Sequence, residues 1–214
     1  MTRKKRTRTT STERPMPGKM QQARRQIAAE AARIMATQGQ RNYRLAKQKA
    51  AARIGVQSRL ALPSNKEVEQ ALLEYLDLYG GEARGHQLNQ LRRTAMKVMR
   101  ALDTFQPRLV GPVLEGTADR YSRISIHLFN DPPDEVARHL SDRGLDFSYE
   151  ERTIRWHDNS QHRLPLLVTE ADGVVVELAL FSSIDLRQAP PSPVDGRPQR
   201  RAAITEIEGL LAGA

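Results

Sequence analysis

Gly111-Pro112-Val113-Leu114-Glu115-Gly116-Thr117-Ala118-Asp119-Arg120-Tyr121-Ser122-Arg123-Ile124-Ser125-Ile126-His127-Leu128-Phe129 is the stretch that decides the fold. Before it, apolar residues recur every three or four positions. From Tyr121 to Phe129 they alternate instead. Ile124, Ile126 and Leu128 fall on one side and Arg123, Ser125 and His127 on the other, which is the period of a half-buried strand. A helical chain therefore hands over to a sheet close to Pro107.

Upstream of that point, four helices are expected. The first starts at Lys19, carries Ala23, Ile27, Ala31, Ile34 and Met35 at helical spacing, and stops at Gly39. In the second, from Asn42 to Ile54, Tyr43, Ala46, Ala50 and Ile54 form a narrow apolar stripe. Arg41, Arg44, Lys47, Lys49 and Arg53 occupy the rest of its circumference, and Gly55 ends it. Ser64 with Glu67 three residues later reads as a capping box. The helix it opens shows Val68, Leu72, Tyr75, Leu76 and Tyr79 on one face and stops at Gly80-Gly81. A fourth, from about Gly85 to Phe105, presents Leu88, Leu91, Ala95, Val98, Met99 and Leu102.

Downstream, Asp131-Pro132-Pro133 turns into a helix with Val136 and Leu140, ended by Gly144. Strands are expected at Leu145–Trp156 and Leu164–Glu170. Ala171-Asp172-Gly173 is a tight hairpin signal, with Val174–Phe181 returning antiparallel. Residues 188–198 are proline-rich and irregular, and a last helix holds Ile204, Ile207, Leu210 and Leu211. The fold class that follows is α+β. A helical region (19–105) precedes a small mixed or antiparallel sheet with packed helices (106–187), then a proline-rich link and C-terminal helix (188–214).

This order of elements, with the Gly111–His127 segment, resembles the polymerase-β-type nucleotidyltransferase superfamily over roughly residues 95–185. The family pattern is a helix ending in Gly-Ser, then about ten residues on a strand reading Asp-hydrophobic-Asp. A third carboxylate lies on a neighbouring antiparallel strand. Two carboxylates two residues apart face the same way and hold magnesium against a triphosphate, while the third positions the attacking hydroxyl. Carried onto this chain, the resemblance puts Gly111 at the family glycine and Pro112 at the serine. Arg123 and Ser125 take the two aspartate positions, and Glu177 that of the third carboxylate.

These departures point away from catalysis. A permanent cation at 123 stands where a divalent metal belongs. Ser125 is neutral, and Pro112 removes a backbone N–H from the phosphate turn. Asp119 and Glu115 lie on the preceding turn, off the strand face. The expectation is a degenerate, nucleotidyltransferase-like domain acting as a binding or regulatory module. Gly111, Arg123, Ser125 and His127 are its candidate nucleotide-binding residues, and Glu177 its one remnant of the catalytic set. Two simpler readings stand beside it: the polar strand face is merely solvated, and Glu177 bridges to Arg123. No metal site and no cofactor is expected. Magnesium enters only if the chain is an active nucleotidyltransferase with substituted ligands. The five histidines contain no i, i+4 pair, and no Gly-x-x-x-x-Gly-Lys loop or nucleophile elbow occurs.

Charge adds a second theme. Residues 1–66 carry 17 Lys and Arg against two acids, Glu13 and Glu30, whereas residues 67–214 carry 17 against 23. So polarised a chain draws polyanions to its first third. Nucleic acid or a ribonucleoprotein is the partner expected through residues 1–66, with Arg41, Arg44, Lys47, Lys49 and Arg53 as contacts. Tyr43 stands either to stack on a base or to join the core. The alternative is a protein-interaction adaptor whose basic arm docks on an acidic partner. No membrane contact is expected, since no apolar run approaches the ~20 residues of a span. The start of the chain lacks the apolar run of a secretory signal. The absence of cysteine fits a reducing compartment, so the location expected is cytoplasmic.

Residues 1–18 combine Arg, Lys, Thr, Ser and Pro with too little apolar surface to offset the entropy of ordering, and are expected to be disordered. Deleting them is therefore expected to leave the thermal midpoint within a degree or so of the full chain's. A fall of several degrees in a melting experiment would show instead that the arm is packed.

Overall fold

Alanine and isoleucine at helical spacing build the first layer. The structure, a computed structural model, describes residues 18–56, 58–119 and 121–213. Apart from Gly18, the arm expected to be disordered lies outside these residues. Helix α1 (Gly18–Gln38) buries Ile27, Ala28, Ala31, Ala32, Ile34 and Met35 and gives way at Gly39, whose φ of 63° is left-handed. The Asn42 side chain caps α2 (Tyr43–Ile54) by accepting from the Leu45 N–H at 3.1 Å, and Gly55 closes it in the left-handed region. Helix α3 (Asn65–Tyr79) opens with the expected capping box. Glu67 reaches back to the Ser64 N–H at 2.7 Å and also accepts from Arg24 of α1. These three helices enclose a core of their own, in which seven of thirteen buried members are alanines.

Two details differ from the sequence expectation. Helix α4 (Gly81–Ala101) starts four residues early, because Gly80 keeps a right-handed helical conformation and leaves no loop after α3. Tyr79 does not join the apolar face. It is 68% exposed, with its ring against that of Tyr75 at 4.7 Å.

The sheet follows: β1 (Arg108–Val110), the one-turn helix α5 (Pro112–Glu115), β2 (Ile124–Phe129), helix α6 (Asp134–Asp142), β3 (Ser148–Arg155), β4 (Gln161–Ala171), β5 (Val174–Phe181) and helix α7 (Ile204–Ala212). The spatial order is β1-β2-β5-β4-β3, with β2 and β5 parallel and the other neighbours antiparallel. The fold is thus α+β, a helical region ahead of a mixed sheet. Asp172 and Gly173 both take positive φ, 50° and 75°, as a two-residue type I′ hairpin requires. Asp172 also accepts from Thr94 and Lys97, which ties the hairpin tip to α4.

One face of the sheet carries Ile124, Ile126, Leu128, Val176, Leu178 and Leu180, buried under α4, α6 and α7. The apolar face of α4 thus belongs to the sheet's core and not to that of α1–α3. The opposite face holds a smaller cluster of Phe129, Leu164, Leu166, Ala179 and Phe181. Buried Arg92 of α4 donates to the carbonyls of Val113 and Leu114, and Arg84 donates to that of Gly116. Carbonyls that so short a helix leaves open are satisfied in this way.

Replacing Ser64 with Ala removes one acceptor of the capping box and is expected to cost about 1 kcal/mol. Urea denaturation should show the midpoint moving down with the slope unchanged. An unaltered midpoint would mean that Glu67 and Arg24 alone hold this helix start.

Candidate functional site

Strand register brings three of the expected residues together. Ser125 of β2 pairs with Glu177 of β5, and both project from the face opposite the main core, as does Arg123 just ahead of β2. Glu177 is only 7% exposed. One of its oxygens accepts from Arg123 Nη1 at 3.0 Å. The other accepts from Arg152 Nη2 at 2.9 Å and from Ser125 Oγ at 3.3 Å. Arg152 comes from β3, reaching across β4. Burial pushes the Glu177 carboxyl up, but the hydrogen bonds and charges of Arg152 and Arg123 outweigh it and hold the group below its ordinary value.

This donor set does not fit magnesium. Both carboxylate oxygens are engaged by guanidinium groups, and the cluster of two arginines and one glutamate carries a net positive charge. A divalent cation placed here would meet repulsion from the two guanidinium groups, with a single carboxylate to hold it. The arginines keep 41% and 50% of their side chains exposed, so the rim still attracts anions. Arg123 also borders a cavity of about 290 Å³ shared with Gln87, Gln90 and Val175.

Compared with family models, curated proteins and solved structures, the chain matches none of them.

The other candidates separate. Gly111 follows strand β1, not a helix as the resemblance implied. Val110 pairs with Ser125, so the turn still stands beside β2. It lines a different cavity, about 410 Å³, together with Arg41, Tyr43, Lys66 and Arg200. Tyr43 points at Glu69 (3.4 Å) and is half-buried, which favours its packing role. Glu115 pairs with Arg200, and Asp119 accepts from the Tyr121 N–H and the Ser122 hydroxyl, so neither turns toward Glu177.

His127 lies further along β2 on the same face but is buried, 6% exposed, and does not reach solvent. Its Nδ1 accepts from Arg201 Nε at 3.1 Å, and the Arg201 guanidinium lies over the rings of Phe129 and Phe181 at 4.7 and 5.1 Å. Burial first, then the charges of Arg201 and Arg152, hold the imidazole down to about 3.

Among the cationic candidates, Lys47 donates to the Pro63 carbonyl and to Asn65, and Arg53 pairs with Glu30. Both have partners within the chain, Lys47 partly buried and Arg53 still exposed. Arg41, Arg44 and Lys49 are exposed and make no ion pair among the described residues. Sequence reasoning missed Arg152 and Arg201. Charges on both faces of β3 hide the inward side of Arg152, and Arg201 follows a link without periodicity.

His127 gives the site a pH dependence. Its folded value lies below the 6.5 of an unfolded histidine, so the unfolded chain binds the proton first. The stability this group contributes is whole above pH 6.5 and is lost as pH falls toward 3, by up to about 1.4 kcal/mol per unit. His127→Gln, which keeps an acceptor for Arg201, should flatten the fall in thermal midpoint between pH 6.5 and 4.5. Equal slopes for the two proteins would refute the assignment.

Proposed function

We propose that this protein is a nucleotidyltransferase-like module without metal-assisted transfer, which binds nucleic acid through the cationic face of its helical layer. The observation that carries the reading is the saturation of Glu177 by Arg123, Arg152 and Ser125. It leaves the position of the family's third carboxylate with no capacity for a cation.

Charge supports the partner. Residues 18–66 hold eleven Lys and Arg against the single acid Glu30. Arg33 hydrogen-bonds that acid and, with Arg53, holds it at about 2, so it stays ionised, engages two of the cations and offsets a single charge. Arg41, Arg44 and Lys49 remain to meet phosphates, with α2 presenting the last two. Phosphate neutralisation releases condensed counterions, so binding of this kind is steeply salt-dependent and nearly blind to sequence.

Replacing Arg41, Arg44 and Lys49 with Gln is expected to weaken binding to RNA or DNA and to reduce the slope of log K against log salt. The reduction is about 0.9 per lost contact for duplex and about 0.7 for single strands. A mobility-shift series at several salt concentrations measures it. Failure of the wild-type chain to bind either polymer at low salt would remove the nucleic-acid reading. Magnesium-dependent nucleotide transfer that disappears in Glu177→Gln would remove the non-catalytic one.

A further inference from the structure

Away from the Glu177 cluster, the loop between β3 and β4 and the proline-rich link face each other across a cleft of about 560 Å³. Trp156, Arg152, Arg155, His157 and Asn159 contribute one wall, and Pro190, Pro191, Pro193 and Gln199 contribute to the other. Among the described residues, no Asp or Glu lines it. That absence is informative in a stretch where residues 67–214 carry 23 acids against 17 Lys and Arg.

Both walls are held in place. Trp156 is half-buried, its foot packed on the cluster of Leu164, Leu166 and Phe181, with its ring 5.6 Å from that of His162. The Trp156 N–H donates to the Ser160 carbonyl at 2.8 Å, and the His157 Nε2–H donates to the Ala189 carbonyl at 2.8 Å, joining loop to link. Within the link, Ser192 N–H reaches the Arg197 carbonyl and Gln199 N–H the Pro190 carbonyl, at 2.7 and 2.8 Å. A cleft with three prolines and cross-braced walls loses little entropy when it is filled. Arg155 makes no ion pair among the described residues, so its charge is unspent, whereas Arg152 is tied to Glu177.

We infer that this cleft holds one nucleotide unit, its base against Trp156 and its phosphate near Arg155, as part of a single strand of nucleic acid. An aromatic face with a neighbouring cation suits any base and the backbone attached to it. The amides of Asn159 and Gln199 are within the same walls to meet a base edge. The volume lies in the range of small-molecule sites. The inference rests on the nucleic-acid reading above and adds to it a preference: helix α2 meets phosphates on either kind of polymer, while a stacked base must be unpaired. The same chemistry is presented by a free nucleotide and by a unit within a chain.

Trp156 is the protein's single tryptophan, so its fluorescence reports on the surroundings of this one side chain. The wild-type chain is titrated with uridine monophosphate, a short oligo(U) and a self-complementary DNA duplex. Oligo(U) should quench the emission saturably, and the duplex should not. Quenching by the monophosphate with no response to oligo(U) would support the nucleotide site and overturn its assignment to a chain. With labelled oligo(U) followed by anisotropy, Trp156→Ala should weaken binding about tenfold or more. Trp156→Phe should retain most of it, and Arg155→Gln should lower it several-fold. Arg155 is exposed, so that variant reads the cleft even if Trp156→Ala fails to fold. Should oligo(U) shift in mobility assays without altering Trp156 emission, the cleft assignment is overturned while the proposed function stands. Binding of no polymer at all overturns both, and equal quenching by duplex overturns the preference for unpaired bases.

Discussion

Parallel pairing of β2 with β5 is the constraint on which the remaining structure hangs. With Ser125 opposite Glu177, every residue of the two central strands is assigned to a face: Ile124, Ile126 and Leu128 with Val176, Leu178 and Leu180 inward, Ser125, His127 and Phe129 with Glu177, Ala179 and Phe181 outward. A slip of one residue would exchange the two sets and expose the main core. The helices α4, α6 and α7 can cover only the first set. The Glu177 cluster, the Arg201 stack on Phe129 and Phe181, and the foot of Trp156 can form only on the second.

On that second face, charge and burial are balanced locally. Glu177 sits mid-strand between two core residues, where an unpaired carboxylate would be costly. Two arginines resolve this, one from just ahead of β2 and one from β3, and Ser125 adds a third donor. The same neutralisation that stabilises the carboxylate leaves it nothing to offer a cation. The cationic helices lie elsewhere and are built differently: Lys47 and Arg53 are satisfied by the chain itself, whereas Arg41, Arg44 and Lys49 make no ion pair among the described residues.

Features governed by neighbours in sequence were legible in the sequence. Ser64 and Glu67 announce the start of α3, Asp172-Gly173 the hairpin, and the alternation through Ile124, Ile126 and Leu128 the strand β2. Short elements were not. Three residues of β1 and four of α5 are too few to show a period, and they are placed by pairing with β2 and by Arg92 and Arg84 from α4. In the site, the bridge from Arg123 to Glu177 was legible as the simpler reading of the polar strand face, since a cation and a carboxylate were expected on neighbouring strands. The part played by Arg152 was not, because it reaches across a strand whose register no local pattern reveals. Equally, nothing local tells Lys47 from Lys49: both are lysines on one helix, and the packed neighbours Pro63 and Asn65 separate them.

The alanine-rich core of α1–α3 has a thermodynamic consequence. Methyl groups hide little apolar area per residue, and the heat capacity of unfolding grows with that area, by roughly 0.45 cal/K/mol for each Å² of apolar surface exposed. The sheet's core, filled by leucine, isoleucine and valine, hides more. The free energy of the helical layer is thus a shallow function of temperature, while that of the sheet is a steeper dome. Cooling past the optimum weakens the second faster than the first, so the cationic layer is the part of the molecule that keeps its stability most evenly between cold and warm.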